Sequence, residues 1–216
     1  MKMDRVPLGI GDAEVEAPSH ICLFHDGEAQ SRPVRLAFLR PAIEDPRQAM
    51  LLYGRKGVAE RQLALLEADL GRSLSDEIAA SRIYLAAGDP EPDAQLENLI
   101  EPIERLLAGH TFVRIVGTTA WDVTDFPPPE DFLWFESRVT ALIADWPVVV
   151  LCAYDVSVMP GIALAYGGLQ THPLVLTNGR LGASPMYVPP DRYVSHSLMP
   201  LLNGPSLWSG GTAYQP

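Results

Sequence analysis

The sequence predicts an α/β protein in three layers, a mostly parallel sheet flanked by helices. Three observations predict it. Short apolar runs alternate with helical patterns from residue 20 onward. The runs HICLF, QAMLLYG, RIYLAAG, TFVRIVGTT and VVVLCAYD are apolar on both faces, as strands between two helix layers must be. With 216 residues, 47% hydrophobic and 20% charged, the chain suits one sizeable core and not a disordered polymer.

Residues 1–18 mix Pro, Gly and acids and are expected to form a flexible leader. HICLF (20–24) is the first strand, stopped by Asp26-Gly27. Residues 28–39 start a helix provided that Pro33 lies in its first turn. QAMLLYG (48–54) is the second strand. A helix follows over 58–71, with Leu63, Leu66 and Leu70 on one stripe and Gly71 as its stop. RIYLAAG (82–88) is the third strand, and 94–109 a helix that Pro102 can kink. TFVRIVGTT (111–119) is the fourth strand. In 127–146 prolines precede the first turn, Glu130 and Asp131 suit the helix dipole, and Phe132, Phe135, Val139, Leu142, Ile143 and Trp146 form an apolar face. VVVLCAYD (148–155) is the fifth strand and 172–179 the sixth. MYVPP (186–190) is a candidate edge piece. One domain over 19–190 and a tail or linker over 191–216 complete the expected organisation.

Composition excludes several function classes. A net charge of −11 with no concentrated basic patch argues against direct nucleic-acid binding. No apolar run reaches the length of a membrane span, and the N-terminus has no signal-peptide core. Two cysteines do not make a disulfide framework, so a reducing cytoplasm is expected. The phosphate-binding GxxxxGK[ST] and the dinucleotide GxGxxG are both missing, which removes nucleotide hydrolysis and dinucleotide binding. No cofactor is expected.

Ligands of open parallel sheets bind beyond the carboxyl ends of the strands. Those ends carry His25 and Asp26, then Tyr53 and Arg55, then Thr118, Thr119 and Trp121, then Tyr154 and Asp155. A pocket is expected there, with His25, Asp26, Trp121, Cys152, Tyr154 and Asp155 as its ligand-binding residues. The aromatic and thiol groups would give a polarisable wall, and His25 and Asp155 would orient a polar head group. Glu136 is either exposed, or paired with Arg138 or Arg114, or part of that pocket. His172, before a proline, is expected to fix the backbone. His20 and Cys22 share a strand face, and with His25 and Cys152 form the set a metal would use. Against this stands plain packing of buried thiols. A cysteine nucleophile with His25 and Asp155 has no supporting local signature, so an enzyme is not expected.

HICLFHD (20–26), Gly117 to Trp121, FESR (135–138), VVVLCAYD, THPLVL (171–176) and YVPP (187–190), in this order and spacing, resemble the MEDS domain. That family is the methanogen and methylotroph sensory domain of prokaryotic signalling proteins. The resemblance implies a RecA-like or KaiC-like sheet without its phosphate loop. It also implies sensing of a small ligand, such as a simple hydrocarbon derivative. In a RecA-like sheet the first and fifth strands are neighbours, so Cys22 would lie beside Cys152, and His25 and Asp155 would flank one opening. Family members are fused to DNA-binding or histidine-kinase-type modules. No such signature is present in 191–216, which leaves three expectations: a separate kinase or transcription factor reads the domain, the domain is a stand-alone regulator, or it is a piece of a longer chain, with homodimerisation open. Two alternatives stand beside this reading: a ligand-free interaction module, and a His/Cys metal-binding protein.

Overall fold

The computed structural model describes residues 5–55, 57–88, 92–118, 129–159, 161 and 163–193. Expectations for Trp121 and for residues 194–216 lie outside them. The chain opens with an antiparallel hairpin, β1 (Arg5–Pro7) and β2 (Glu14–Glu16). Then follow β3 (Ser19–His25), α1 (Glu28–Glu44), β4 (Gln48–Gly54), α2 (Val58–Leu70), α3 (Ser75–Ala79), β5 (Ile83–Ala87), α4 (Pro92–Leu107) and β6 (Phe112–Thr118). The second half holds α5 (Pro129–Leu142), β7 (Val148–Asp155), a π-helical segment over Ala163–Leu169, β8 (Leu174–Thr177), β9 (Arg180–Ala183) and α6 (Pro190–Tyr193).

Seven strands form one sheet in the order β5-β4-β6-β7-β3-β8-β9. All neighbours are parallel except β8 and β9. This is the α/β architecture expected from strands apolar on both faces. Side chains alternate across the pleat, so each strand feeds two cores. One core holds Ile21, Leu23, Met50, Leu52, Val116, Leu151 and Ala153 under Phe38, Leu39, Ala59 and Leu66 of α1 and α2. The other holds Cys22, Leu51, Ile115, Val150, Cys152 and Tyr154 under Leu99 and Ile103 of α4, Phe135 and Val139 of α5, and Ile143 just past its end.

Residues 5–17, expected as a flexible leader, are built into the first core. Leu8, Ile10, Val15 and Ala17 are buried there. Gly9 and Gly11 take positive φ to turn the hairpin, and Gly9 lies so close to Ala37 of α1 that a Cβ would collide with its carbonyl. Helix α1 runs through Pro33 and Pro41 to Glu44, past the expected end at 39. Burial of Phe38, Leu39 and Ala42 against the sheet offsets the backbone bonds that the two prolines cannot make. The strand at the edge beside β8 is β9, Arg180–Ala183, and MYVPP is not a strand; β9 turns back from β8 at Asn178-Gly179, both with positive φ.

The sheet has its crossover where the site is to be sought. After β3 the chain enters α1 on the first face. After β7 it enters the π-helical segment, whose Leu164 and Tyr166 pack on the second face. Two adjacent parallel strands that send their chains to opposite faces leave a crevice between their carboxyl ends.

Candidate functional site

β3 and β7 are paired along their whole length, with Cys22 opposite Cys152 and His25 opposite Asp155. Both juxtapositions match the expected ones. The pleat then divides the expected residues into two groups. Cys152 and Tyr154 point to the second face, toward α5. His25 stands an odd number of residues from Cys22 and Asp155 an odd number from Cys152, so neither shares a face with the thiols.

At the edge itself, His25 Nδ1 donates to the Gly27 carbonyl at 3.1 Å and lies 4.0 Å from Asp155 Oδ2. Asp155 Oδ1 accepts from the Gly27 N–H at 3.3 Å, from Ser157 N–H at 2.9 Å and from Ser157 Oγ at 2.5 Å. Burial pushes the Asp155 carboxyl up, but the bonds from Ser157 outweigh it and hold the group below its ordinary range. Burial lowers the His25 imidazole. Asp155 thus ties the chain leaving β3 to the chain leaving β7. Asp26 is exposed, and its backbone N–H donates to Gln30 Oε1 at 2.6 Å.

A second constellation lies deeper. His20 of β3, Cys152 of β7, Glu136 of α5 and His172, in the turn before β8, are all buried, with their ligating atoms within 4.8 Å of one another. His20 Nε2 is 3.3 Å from Cys152 Sγ and 3.8 Å from Glu136 Oε2. His172 Nε2 is 3.5 Å from the same Oε2. The two imidazole rings are 3.8 Å apart, and Tyr154 meets His172 edge-on.

Two threonines set the tautomers of both rings. Thr140 Oγ1 donates to the Thr171 carbonyl at 3.2 Å and meets His20 Nδ1 at 2.9 Å. A carbonyl only accepts, so both bonds form when His20 Nδ1 carries the proton and gives it to Thr140. Thr171 Oγ1 likewise donates to the Gly167 carbonyl and meets His172 Nδ1 at 2.9 Å. The proton of His172 is therefore also on Nδ1. Each ring turns a bare Nε2 lone pair toward Glu136, and His172 Nε2 has no hydrogen-bond partner.

Burial dominates the electrostatics. It raises the Glu136 carboxyl to about 8, against the pull of a hydrogen bond from Tyr154. It lowers His172 to about 3 and His20 well below its ordinary value, with the neighbouring His172 pushing the same way. Burial lifts the Cys152 thiol far up, and the nearby Glu136 adds to the effect. Without a cation, the cluster is neutral at pH 7: a thiol, a carboxylic acid and two neutral imidazoles.

Sequence reasoning had half of this constellation. The shared face of His20 and Cys22 and the approach of Cys152 hold, but His25 lies on the other face. Glu136 pairs with neither Arg138 nor Arg114: it is fully buried against two histidines, while Arg114 reaches Pro7, Phe38 and Gln48 on the opposite face. His172 does more than fix a backbone, because the π-helical segment delivers it beside His20. The missed signals were Glu136 and Thr140, one helical turn apart within the apolar arc of α5, and the pair Thr171-His172.

Residues 19–173 match the family described as MEDS, the MEthanogen/methylotroph, DcmR Sensory domain. The chain belongs to the MEDS family. No curated protein matches it. The matched span opens at β3 and closes just past His172, so it takes in all four residues of the MEDS domain's buried cluster.

Proposed function

We propose that this MEDS domain binds a small ligand, of the class of simple hydrocarbon derivatives, and reports its occupancy to a separate regulatory protein. Membership in the family supplies the sensory role. One observation supports the position of the ligand: β3 and β7 part to opposite faces at their carboxyl ends, and His25 and Asp155 close the crevice between them. Cys152 and Tyr154 line the second face of the same two strands, and Asp26 stands exposed at the rim. A ligand that separated Gly27 from Asp155 would move α1 and the π-helical segment relative to each other. That movement gives bound and free states different surfaces, as a sensor requires. From the sequence alone, Trp121 is proposed as a further residue of the ligand site. The partner is a kinase or a transcription factor in the cytoplasm. Among the described residues no helix is long and apolar enough to cross a membrane.

The test is a native mass of the purified chain against its denatured mass, followed by thermal-shift titrations with short alcohols, amines and haloalkanes. A retained organic mass, or a saturable rise in Tm that Trp121→Ala weakens without unfolding the protein, supports the reading. Equal masses and a flat titration panel would leave an interaction module in its place.

A further inference from the structure

From the convergence of His20 Nε2, His172 Nε2, Cys152 Sγ and Glu136 Oε2 we infer that this chain holds a structural zinc ion between β3, β7, α5 and the turn before β8. The inference does not depend on the identity of the sensory ligand, whose proposed crevice opens beyond His25 and Asp155, three residues past Cys152 on β7.

Geometry carries it first. Four donors about 2.0–2.3 Å from a tetrahedral ion stand about 1.6 bond lengths, or roughly 3.3–3.8 Å, apart. The separations here are 3.3, 3.5 and 3.8 Å, and no pair of the four exceeds 4.8 Å. The site therefore needs only small side-chain rotations to close on an ion. Cys, His and carboxylate are together the donor set of zinc, and a set filled by four protein groups is that of a structural site.

The surroundings carry it second. A ligating histidine usually gives its other ring N–H to a hydrogen-bond acceptor, which fixes the ring and leaves the ligating lone pair bare. Both histidines have that arrangement, through Thr140 and Thr171, and each threonine is anchored in turn on a backbone carbonyl. Without a cation, His172 Nε2 is a buried orphan. Such groups are rare and costly, and here a bond to a metal would satisfy it.

Charge carries it third. A divalent ion displaces one proton from the Cys152 thiol and one from the Glu136 carboxyl. Thiolate, carboxylate and Zn²⁺ then sum to zero, so the filled site carries no net charge into an enclosed position.

The test is elemental analysis of the full chain purified without chelator, with the fold checked by circular dichroism. About one zinc per chain is expected. Stripped protein should take up Zn²⁺ with a Kd tighter than about 1 µM. With Co²⁺ it should show a thiolate-to-metal charge-transfer band that Cys152→Ser abolishes. Thr140→Val and Thr171→Val retain all four donors and should weaken Zn²⁺ binding by about 10–100-fold. A folded wild-type chain that carries no metal and binds no Zn²⁺ in the micromolar range would overturn the inference. So would a Co²⁺ adduct without a thiolate band.

Discussion

His172 Nε2 faces Glu136 Oε2 across 3.5 Å, with both side chains enclosed by the sheet, α5 and the π-helical segment. A bare ring nitrogen cannot donate, so in metal-free protein a proton on the carboxyl must separate the two lone pairs. The pair therefore holds one proton near neutrality, and its position makes stability depend on pH.

For chelator-treated protein the sign follows from the shifts. Glu136 keeps its proton up to about pH 8 in the folded state, whereas its ordinary value is 4.5, so its contribution to stability falls as pH rises through that window. His172, lowered to about 3 from 6.5, and His20, lowered in the same sense, oppose this: their contribution grows with pH until the unfolded chain stops taking up protons near 6.5. Below 6.5 the rising terms, to which the lowered His25 adds, exceed the one falling term; from 6.5 to 8 Glu136 dominates, and the raised thiols of Cys22 and Cys152 add a fall of the same sign only toward pH 9. Stability of stripped protein should peak near pH 6.5, then fall by about 1.4 kcal/mol per pH unit toward pH 8. Glu136→Gln should abolish that fall. Urea midpoints from pH 5 to 9 measure both curves; parallel curves for the two proteins would refute the assignment.

Arg114 is the counterpart on the first face. It is fully buried on β6, and burial lowers its guanidinium to about 10. It donates to Pro7 O at 2.7 Å, Phe38 O at 3.2 Å and Gln48 Oε1 at 3.0 Å, and lies against the rings of Phe38 and Phe112. One side chain thus fastens the N-terminal hairpin and α1 to the sheet. Arg114→Met keeps volume but strands two carbonyls, and should cost about 2–4 kcal/mol. Arg114→Lys should not restore wild-type stability, because a single ammonium lacks the planar fork that spans the three acceptors. Urea unfolding gives the cost, and hydrogen exchange should rise first over residues 5–16. Unchanged protection there would mean that the hairpin is held by its apolar contacts alone.

Those contacts include Leu8, which has no exposed surface and packs in the first core. Leu8→Ala should cost about 2–4 kcal/mol by the loss of buried methyl groups and the cavity left behind. A cost under about 0.5 kcal/mol would restore the picture of a loose leader.

How far the sequence was legible depended on how long each pattern ran. β7 is an uninterrupted apolar run between Pro147 and Asp155, and its observed bounds are those read from the sequence. The hairpin has three residues per strand, too few for alternation to register, and its burial depends on two glycine turns beside α1. β9, with the sequence RLGA, is short and mostly exposed because it is an edge, so it carries no apolar pattern to read. At the site, the register of Cys22 with Cys152 followed from family resemblance, but His172 could not be placed by spacing. It lies beside His20 because β8 pairs with β3 at Leu174 and Ile21. The position of Glu136 was legible in principle: a lone carboxylate inside an apolar helical arc is either buried with partners or an error of phase, and here it is buried.

Gly168 is where the π-helical segment touches β3. A Cβ there would stand 2.8 Å from Phe24 Cζ, 2.9 Å from Phe24 Cε1 and 3.2 Å from Cys22 Sγ. The ring of Phe24 is only half-buried and can yield, but Cys22 is fixed within the sheet. Gly168→Ala should therefore lift the segment from the strand by a few tenths of an ångström. Thr171 hangs on Gly167 through its hydroxyl, so the lift carries His172 away from His20 and Glu136. The expected cost is about 1–3 kcal/mol of stability, the usual range for an extra methyl in a packed core. Zn²⁺ affinity should fall with it, because the four donors no longer converge. The two readouts separate the causes: a loss of stability with unchanged Zn²⁺ affinity would show that His172 is positioned by β8 and Thr171 alone, and not by the close approach of Gly168.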